Sequence, residues 1–335
     1  MRFLEFSAPH DVRWAHVEDP SIGSADQAIV APVAATTCDL DRAAIAGLTP
    51  FQGPFALGHE CVARVVALGD DCAGLRVGDL VVVPWHIACG MCDLCVTGHP
   101  TRCQQTPPYA MFGLPIGGHW GGMFSELISV PWAKNNLIKI PEGVTPASAA
   151  AASDSLTDAY GAVLRGLRTR PTEPVLVIGG LTHGLYASAF AVQLGSEEVA
   201  YVDSDERRRS IASTYGAQAV SDVRELSRSK YPVVIDASAA PEGLHRALQA
   251  TAPGGHCHSI GIYFEEISLP LLSMYMDDVT FSTGRPDITP HLPAVLGMLA
   301  SKKIDPTLAF SETVHFDDLP QALLQLPEKP LVIFD

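Results

Sequence analysis

VLVIGGLTHG, residues Val175–Gly184, is the stretch that decides the fold. It begins as an unbroken apolar run with no alternation, the pattern of a strand covered on both faces. It then opens through glycines into a helix-like segment. The dinucleotide fingerprint at such a strand–helix turn is G-x-G-x-x-G. Gly179 and Gly184 fill its first and third places, Gly180 follows the first, and Leu181 stands where the second glycine belongs. That second glycine normally lets the backbone approach a pyrophosphate, so Leu181 predicts a looser or shifted approach. Asp203 closes the next strand, EVAYVDSD, 24 residues after Gly179. A carboxylate there accepts ribose hydroxyls and repels a 2′-phosphate, which favours NAD over NADP. Arg207 and Arg208 keep NADP possible, because a guanidinium binds phosphate, although ERRR also reads as a solvated helix start.

Outward from this stretch the texture differs on the two sides. Downstream, LYASAFAVQLG, ERRRSIASTYG, PVVIDAS, EGLHRALQATA and HCHSIGIY alternate between strand and helix. That is the rhythm of a parallel sheet wrapped by helices. Upstream, residues 1–150 read as short β segments punctuated by Gly and Pro, such as ECVARVVALGDDCAGLRVGDLVVVP, and suggest an antiparallel, barrel-like unit. The change comes near Pro146, where the Ala-rich ASAAAASDSLTDAYGAVLRG has helical spacing. The expected organisation is therefore a β-rich domain over 1–150, a doubly wound α/β domain over 151–285, and a return segment over 286–335 that completes the first.

A chain of 335 residues fits two domains. Its net charge of -15, with only 22 Lys and Arg, argues against a nucleic-acid partner. No apolar run of about 18 residues suggests a membrane span. The start, MRFLEFSAPHDVRW, lacks the apolar centre of a signal peptide. The expected location is the cytoplasm, where clustered thiols more often bind metal than pair. In CGMCDLCVTGHPTRC, Cys89, Cys92, Cys95 and Cys103 follow C-x2-C-x2-C-x7-C. Four thiolates at this spacing saturate zinc and leave no open position, so the loop reads as a staple rather than a reaction site. An iron–sulfur cluster is the less favoured reading. Unpaired core cysteines fit the polar flanks poorly.

A second constellation is scattered. TTCDLDR offers Cys38, LGHECVARV offers His59 and Glu60 after Gly58, and AASDSLTDAY offers Asp154. Alone, each is more often an ordinary core or capping residue. Together, in this order, with Asp41 three residues after Cys38, VGD at Val77–Asp79, the four-cysteine loop and then a dinucleotide fold, the chain resembles the zinc-containing medium-chain alcohol dehydrogenases. The resemblance covers nearly the whole length. It implies a GroES-like β-rich catalytic domain beside a Rossmann domain. It also implies two Zn²⁺ per chain, the staple and a catalytic ion on Cys38, His59 and Asp154 with a fourth position open. Glu60 would lie beside that ion and bind it transiently, and Asp41 would orient His59. His183 would lie on the nicotinamide side of the cofactor, with Ser238 of DAS and Ile260, Gly261 and Ile262 of SIGI following it along the strand ends.

Two departures stand out. Where the family carries a Ser or Thr hydroxyl that passes the substrate proton to solvent, this chain has Leu40, and a further His of the family's relay is replaced by Ala43. Thr37, Asp39 and His86 are the nearby substitutes. The expected small-molecule pocket is apolar, walled by Leu40, Trp85, Tyr109, Met111 and Trp120, which read equally well as ordinary core or loop residues. EEISLPLLSMYMDDVTFSTG has the place of the family's subunit-pairing segment, which predicts a homodimer or homotetramer. The leading expectation is a zinc-dependent, NAD-linked alcohol dehydrogenase. Its rivals are a same-fold reductase of activated C=C or C=N bonds, motivated by Leu40, and a non-catalytic nucleotide-binding protein, motivated by Leu181.

Overall fold

The computed structural model describes residues 1–334. The chain forms two compact units, one of Met1–Thr157 with the segment from Pro286 onward, the other of Asp158–Arg285. The first unit therefore recruits the tail, and its boundary with the second falls a few residues beyond the expected position near residue 150.

The first unit is built on a mixed, mostly antiparallel sheet. Its strands lie in the order Glu312–His315, Pro330–Ile333, Ala28–Thr36, Glu60–Leu68, Leu80–Val83 and Ile138–Lys139, and Ile128–Val130 also pairs with Ala28–Thr36. Pro32 sits inside the strand AIVAPVAAT, where a missing N–H would break the ladder. The register shifts between Pro32 and Ala34, so the proline occupies an irregularity rather than a regular rung. Thr36 pairs with Glu60 on one side and with Leu331 on the other. Three strand ends remote in sequence thus meet at one end of the sheet.

The Ala-rich patch departs from a continuous helix. Thr145 caps its start, its Oγ1 accepting Ser148 N–H at 3.1 Å, with Pro146 as the first helical residue. A helical turn over Pro146–Ala149 tightens into a 3₁₀ turn over Ala150–Ser153, and a new helix runs over Ser155–Leu167. Asp154 stands in the break, with φ −148° and ψ −92°. The break has a cause in packing. Ser153 Oγ donates to Cys61 O and accepts Cys61 N–H, both at 2.9 Å, which pins this turn to the neighbouring strand. Alanine propensity favours one helix, and the tertiary bonds override it.

The second unit is a parallel sheet of six strands, Val175–Ile178, Val199–Val202, Gln218–Val220, Tyr231–Asp236, Thr251–Ser259 and Thr280–Thr283. Numbered along the chain, they lie in the order 3-2-1-4-5-6, all parallel. This is the Rossmann arrangement, in which ligands bind beyond the carboxyl ends of the strands where the order reverses. VLVI is buried throughout, which explains its lack of alternation.

Candidate active site

The sulfur, nitrogen and oxygen atoms offered by Cys38, His59 and Asp154 all lie within 4.8 Å of one another, and all three residues are buried. Cys38 precedes the helix Asp39–Ile45, His59 precedes the strand Glu60–Leu68, and Asp154 occupies the helix break. His59 Nε2 is 3.4 Å from Asp154 Oδ2. A tetrahedral zinc with bonds of about 2.0–2.1 Å to N and O would hold those atoms about 3.3 Å apart. Cys, His and Asp together form a donor set that suits zinc, so the residues fit the ion.

Asp41 holds two of the three residues at once. Its Oδ2 accepts Cys38 N–H at 2.9 Å, and its Oδ1 faces His59 Nδ1 at 3.3 Å. Among the described residues neither His59 Nδ1 nor Asp41 Oδ1 has another hydrogen-bond partner. This leaves Nε2 turned to the cluster. Burial, and next the Asp154 carboxylate, push the Cys38 thiol well up. For His59, burial works to lower the pKa, but Asp41 and Asp154 outweigh it and hold the imidazolium well above its usual range. The two carboxylates thus favour positive charge at the cluster, the environment that would also receive a metal cation.

Glu60 stands apart from the three-ligand set. Its Oε2 lies 2.6 Å from Lys329 Nζ, and its Oε1 accepts Ser155 N–H at 2.7 Å. Burial works against the Lys329 charge, but the Glu60 carboxylate outweighs it and keeps the ammonium above its ordinary range. Sequence reasoning missed Lys329. In PEKPLVIFD it carries the signature of an ordinary solvated lysine before a strand, and only the fold brings it to full burial.

The four-cysteine loop also fits zinc. Cys92 and Cys95 sulfurs are 3.4 Å apart, and those of Cys89 and Cys95 4.0 Å. A tetrahedral zinc at about 2.3 Å from each sulfur requires about 3.8 Å. Backbone N–H groups of Met91 and Cys92 point at Cys89 Sγ, those of Cys89 and Gln105 at Cys103 Sγ, and that of Gln104 at Cys92 Sγ. These donors favour thiolates. The backbone N–H of Gln104 leads in drawing the Cys92 thiol down to about 6.

In the second unit, Gly179 and Gly180 both adopt left-handed backbone, with φ of +64° and +89°. The turn thus finds its freedom at Gly180 in place of the fingerprint's second glycine. A side chain at Gly184 would run into Gly179 O, so the third glycine is demanded by helix–strand packing. His183 opens the helix His183–Gln193, its Nε2 3.7 Å from Asp158 Oδ2. Asp203 is more heavily engaged than the sequence suggests. Its Oδ1 accepts Asp205 N–H and an Arg208 N–H at 2.8 and 2.9 Å. Its Oδ2 accepts Arg208 Nε–H and Tyr201 O–H, both at 2.8 Å. These four bonds fill a carboxylate's usual acceptor capacity. Ser238, Ile260, Gly261 and Ile262 lie just past the ends of the fourth and fifth strands. Ser238 Oγ donates to Asp236 Oδ1 at 2.6 Å, and Ile260 N–H to Asp236 O at 2.8 Å.

The expected pocket walls divide. Trp85 and Met111 are buried, and Leu40 is half-buried. Tyr109 is 61 % exposed in left-handed backbone, so it is a loop residue rather than a wall. Trp120 donates to Gly117 O and lines a separate cavity of about 210 Å³ with Phe3, Phe55, Leu114 and His119, which none of the three ligands touches. Of the relay candidates, His86 accepts Ile288 N–H through Nε2, whereas the Thr37 hydroxyl is buried without a hydrogen-bond partner among the described residues. Asp39 is half-buried.

Comparison with known proteins identifies the family. Residues 24–142 match the family described as alcohol dehydrogenase GroES-like domain, and residues 184–285 that described as zinc-binding dehydrogenase. A probable zinc-binding alcohol dehydrogenase of Mycobacterium tuberculosis is 30% identical over 325 residues, covering 95% of this chain and 83% of that protein. An alcohol dehydrogenase from a Thermus species superposes with a TM-score of 0.90 at 29% identity, over 100% of both chains. An Escherichia coli alcohol dehydrogenase solved with NADH superposes at 0.85 with 25% identity, over 100% of this chain and 99% of that one. A GroES-like unit carrying a buried Cys–His–Asp cluster, joined in one chain to a Rossmann unit, thus places this protein in the zinc-binding, medium-chain alcohol dehydrogenase family of oxidoreductases.

Proposed function

We propose that this chain is an NAD-linked alcohol dehydrogenase that moves a hydride between the carbinol carbon of an apolar alcohol and nicotinamide C4. The observation that carries the reading is the buried cluster of Cys38, His59 and Asp154. Cys38, His59 and Asp154 would hold a zinc ion, which would supply Lewis acidity to a substrate oxygen. The remaining work falls to the chain. Asp41 fixes the His59 ring, so the ligand nitrogen is aimed before metal arrives. Gly179 and Gly180 shape the cofactor turn, and Asp203, at the end of the next strand, would receive the ribose as Arg208 gives up its two bonds. Oxidation must also release the alcohol proton, which Leu40 cannot carry. The Thr37 hydroxyl, buried beside Cys38, is our choice for the first group of that relay, with a solvent water beyond it taking the proton onward.

The Cys89, Cys92, Cys95 and Cys103 loop takes the second zinc of each chain. NAD is favoured over NADP by the negative charge of Asp203, which repels a 2′-phosphate, while Arg208 on the same carboxylate keeps NADP possible. A homodimer or homotetramer is supported by exposed Leu271, Leu272, Tyr275 and Met276, and by Thr280–Thr283, an unpaired sheet edge close to them. Cytoplasmic residence fits the free cysteines. No helix among the described residues is long and apolar enough to cross a membrane.

The test is zinc per chain, measured by mass spectrometry on protein purified without added metal or chelator, followed by an alcohol and aldehyde screen with NAD and NADP. Two zinc ions and NAD-dependent oxidation are expected. A single ion that survives Cys38→Ser, with no alcohol turnover, would refute the reading.

A further inference from the structure

We propose that Lys329 is the positioning residue of the three-ligand site, a buried ammonium that ties together the three segments carrying the ligands and keeps Glu60 out of the ligand set. The proposal rests on the reading that Cys38, His59 and Asp154 hold zinc. Lys329 is 0% exposed. Its Nζ donates to Thr37 O at 2.7 Å, to Glu60 Oε2 at 2.6 Å and to Ser155 Oγ at 2.8 Å. An ammonium has three donors, and all are used. Each acceptor is the immediate sequence neighbour of one ligand: Thr37 of Cys38, Glu60 of His59, and Ser155 of Asp154. One side chain therefore braces all three ligand-bearing segments.

The sheet explains how. Thr36 pairs with both Glu60 and Leu331, so the residue two before Leu331 arrives beside Thr37 and Glu60. Ser155 follows, because Ser153 is pinned to Cys61. Burying a lysine is expensive, and an apolar pair of the same volume would often serve stability as well. What an apolar pair could not do is brace three backbone segments and occupy a carboxylate. Glu60 adjoins His59, and its oxygens are the kind of donor zinc accepts. Lys329 and the Ser155 N–H engage one oxygen each, which leaves the fourth metal position to the substrate. The three bonds, one to backbone and two to side chains, also tie the ligand-bearing segments together before metal arrives, the role outer partners play at metal sites.

The experiment uses the full chain with zinc bound, and the cobalt(II) protein prepared from it. It compares wild type, Lys329→Met, and the double variant Lys329→Met with Glu60→Gln. The double variant leaves no buried charge unpaired, so it keeps the test alive if Lys329→Met fails to fold. Zinc transfer to excess chelator should be about 10- to 100-fold faster in the folded double variant, in which no freed carboxylate can join the metal. The cobalt d–d bands of Lys329→Met should shift towards higher coordination as Glu60 joins the metal, and the double variant should reverse that shift. A folded double variant that releases zinc at the wild-type rate overturns the brace. An unchanged cobalt spectrum in folded Lys329→Met overturns the exclusion of Glu60. Failure of the underlying reading looks different: wild type itself would then hold no metal that Cys38→Ser removes.

Discussion

Asp41→Asn tests the reading of the metal site most directly. The substitution keeps the volume of a fully buried side chain, so it adds no cavity cost. What changes is the pairing of two oxygens. Asp41 accepts Cys38 N–H at 2.9 Å with one and faces His59 Nδ1 at 3.3 Å with the other. Asn retains one acceptor and must turn its NH₂ on the second donor. At least one bond to a charged group is lost, at about 1.5–3 kcal/mol. At about tenfold per 1.4 kcal/mol, zinc affinity at this site should fall about 10- to 100-fold. The assay is competition for zinc against a chelator of known affinity at fixed pH, with thermal unfolding as the control for folding. The four-cysteine zinc should be unaffected and serves as the internal standard. A folded Asp41→Asn protein that binds both zinc ions within about threefold of wild type would contradict the claim that Asp41 aims His59.

Two further outcomes follow from the second unit. Arg208 fills two acceptor positions on Asp203 that ribose hydroxyls need, and its guanidinium is also what a 2′-phosphate would seek. Arg208→Leu should therefore raise the ratio of kcat/KM for NAD to that for NADP by about tenfold or more, the equivalent of one charge-assisted bond; a fall in the ratio would sink the argument. His258 is buried on the fifth parallel strand, its Nδ1 2.8 Å from Ser282 Oγ, and burial pushes its pKa down to about 3. The unfolded chain takes up a proton near about pH 6.5, while the folded one resists until about 3. Stability from this group is therefore full above about 6.5 and is lost as pH falls towards 3, on the order of 5 kcal/mol in all. Urea unfolding of His258→Gln should show a shallower loss than wild type across that window, and parallel curves would rule the buried neutral imidazole out as the source.

Much of the protein is legible in the amino-acid sequence, because several signals are local. An unbroken VLVIGG, an acid ending the next strand and a rhythm of strand and helix specify a parallel sheet with a cofactor turn. C-x2-C-x2-C-x7-C points to a metal loop for the same reason: its candidate ligands are neighbours along the chain. Cys38, His59 and Asp154 are spread over more than a hundred residues, and nothing in their own neighbourhoods joins them. They become legible only through the order of motifs around them. The helix break at Asp154 is not legible at all, since its cause is the bond between Ser153 and Cys61, which propensity does not register.

What the sequence alone determined was the two-unit fold, the cofactor turn and the candidate ligands, all carried by periodicity, glycine placement and residue order. What only the tertiary structure decided was which polar groups face each other once buried. Asp203 can be named from its place at a strand end, but not its saturation by Arg208, Tyr201 and the Asp205 N–H. Trp120 and Trp85 look alike in sequence, yet Trp120 lines a cavity away from the ligands. Lys329 is the clearest case, an ordinary lysine near the end of the chain until a strand from the tail pairs beside Thr36. Pairing across a sheet joins residues by register rather than by distance along the chain, and a buried charge must find its partners wherever register puts them.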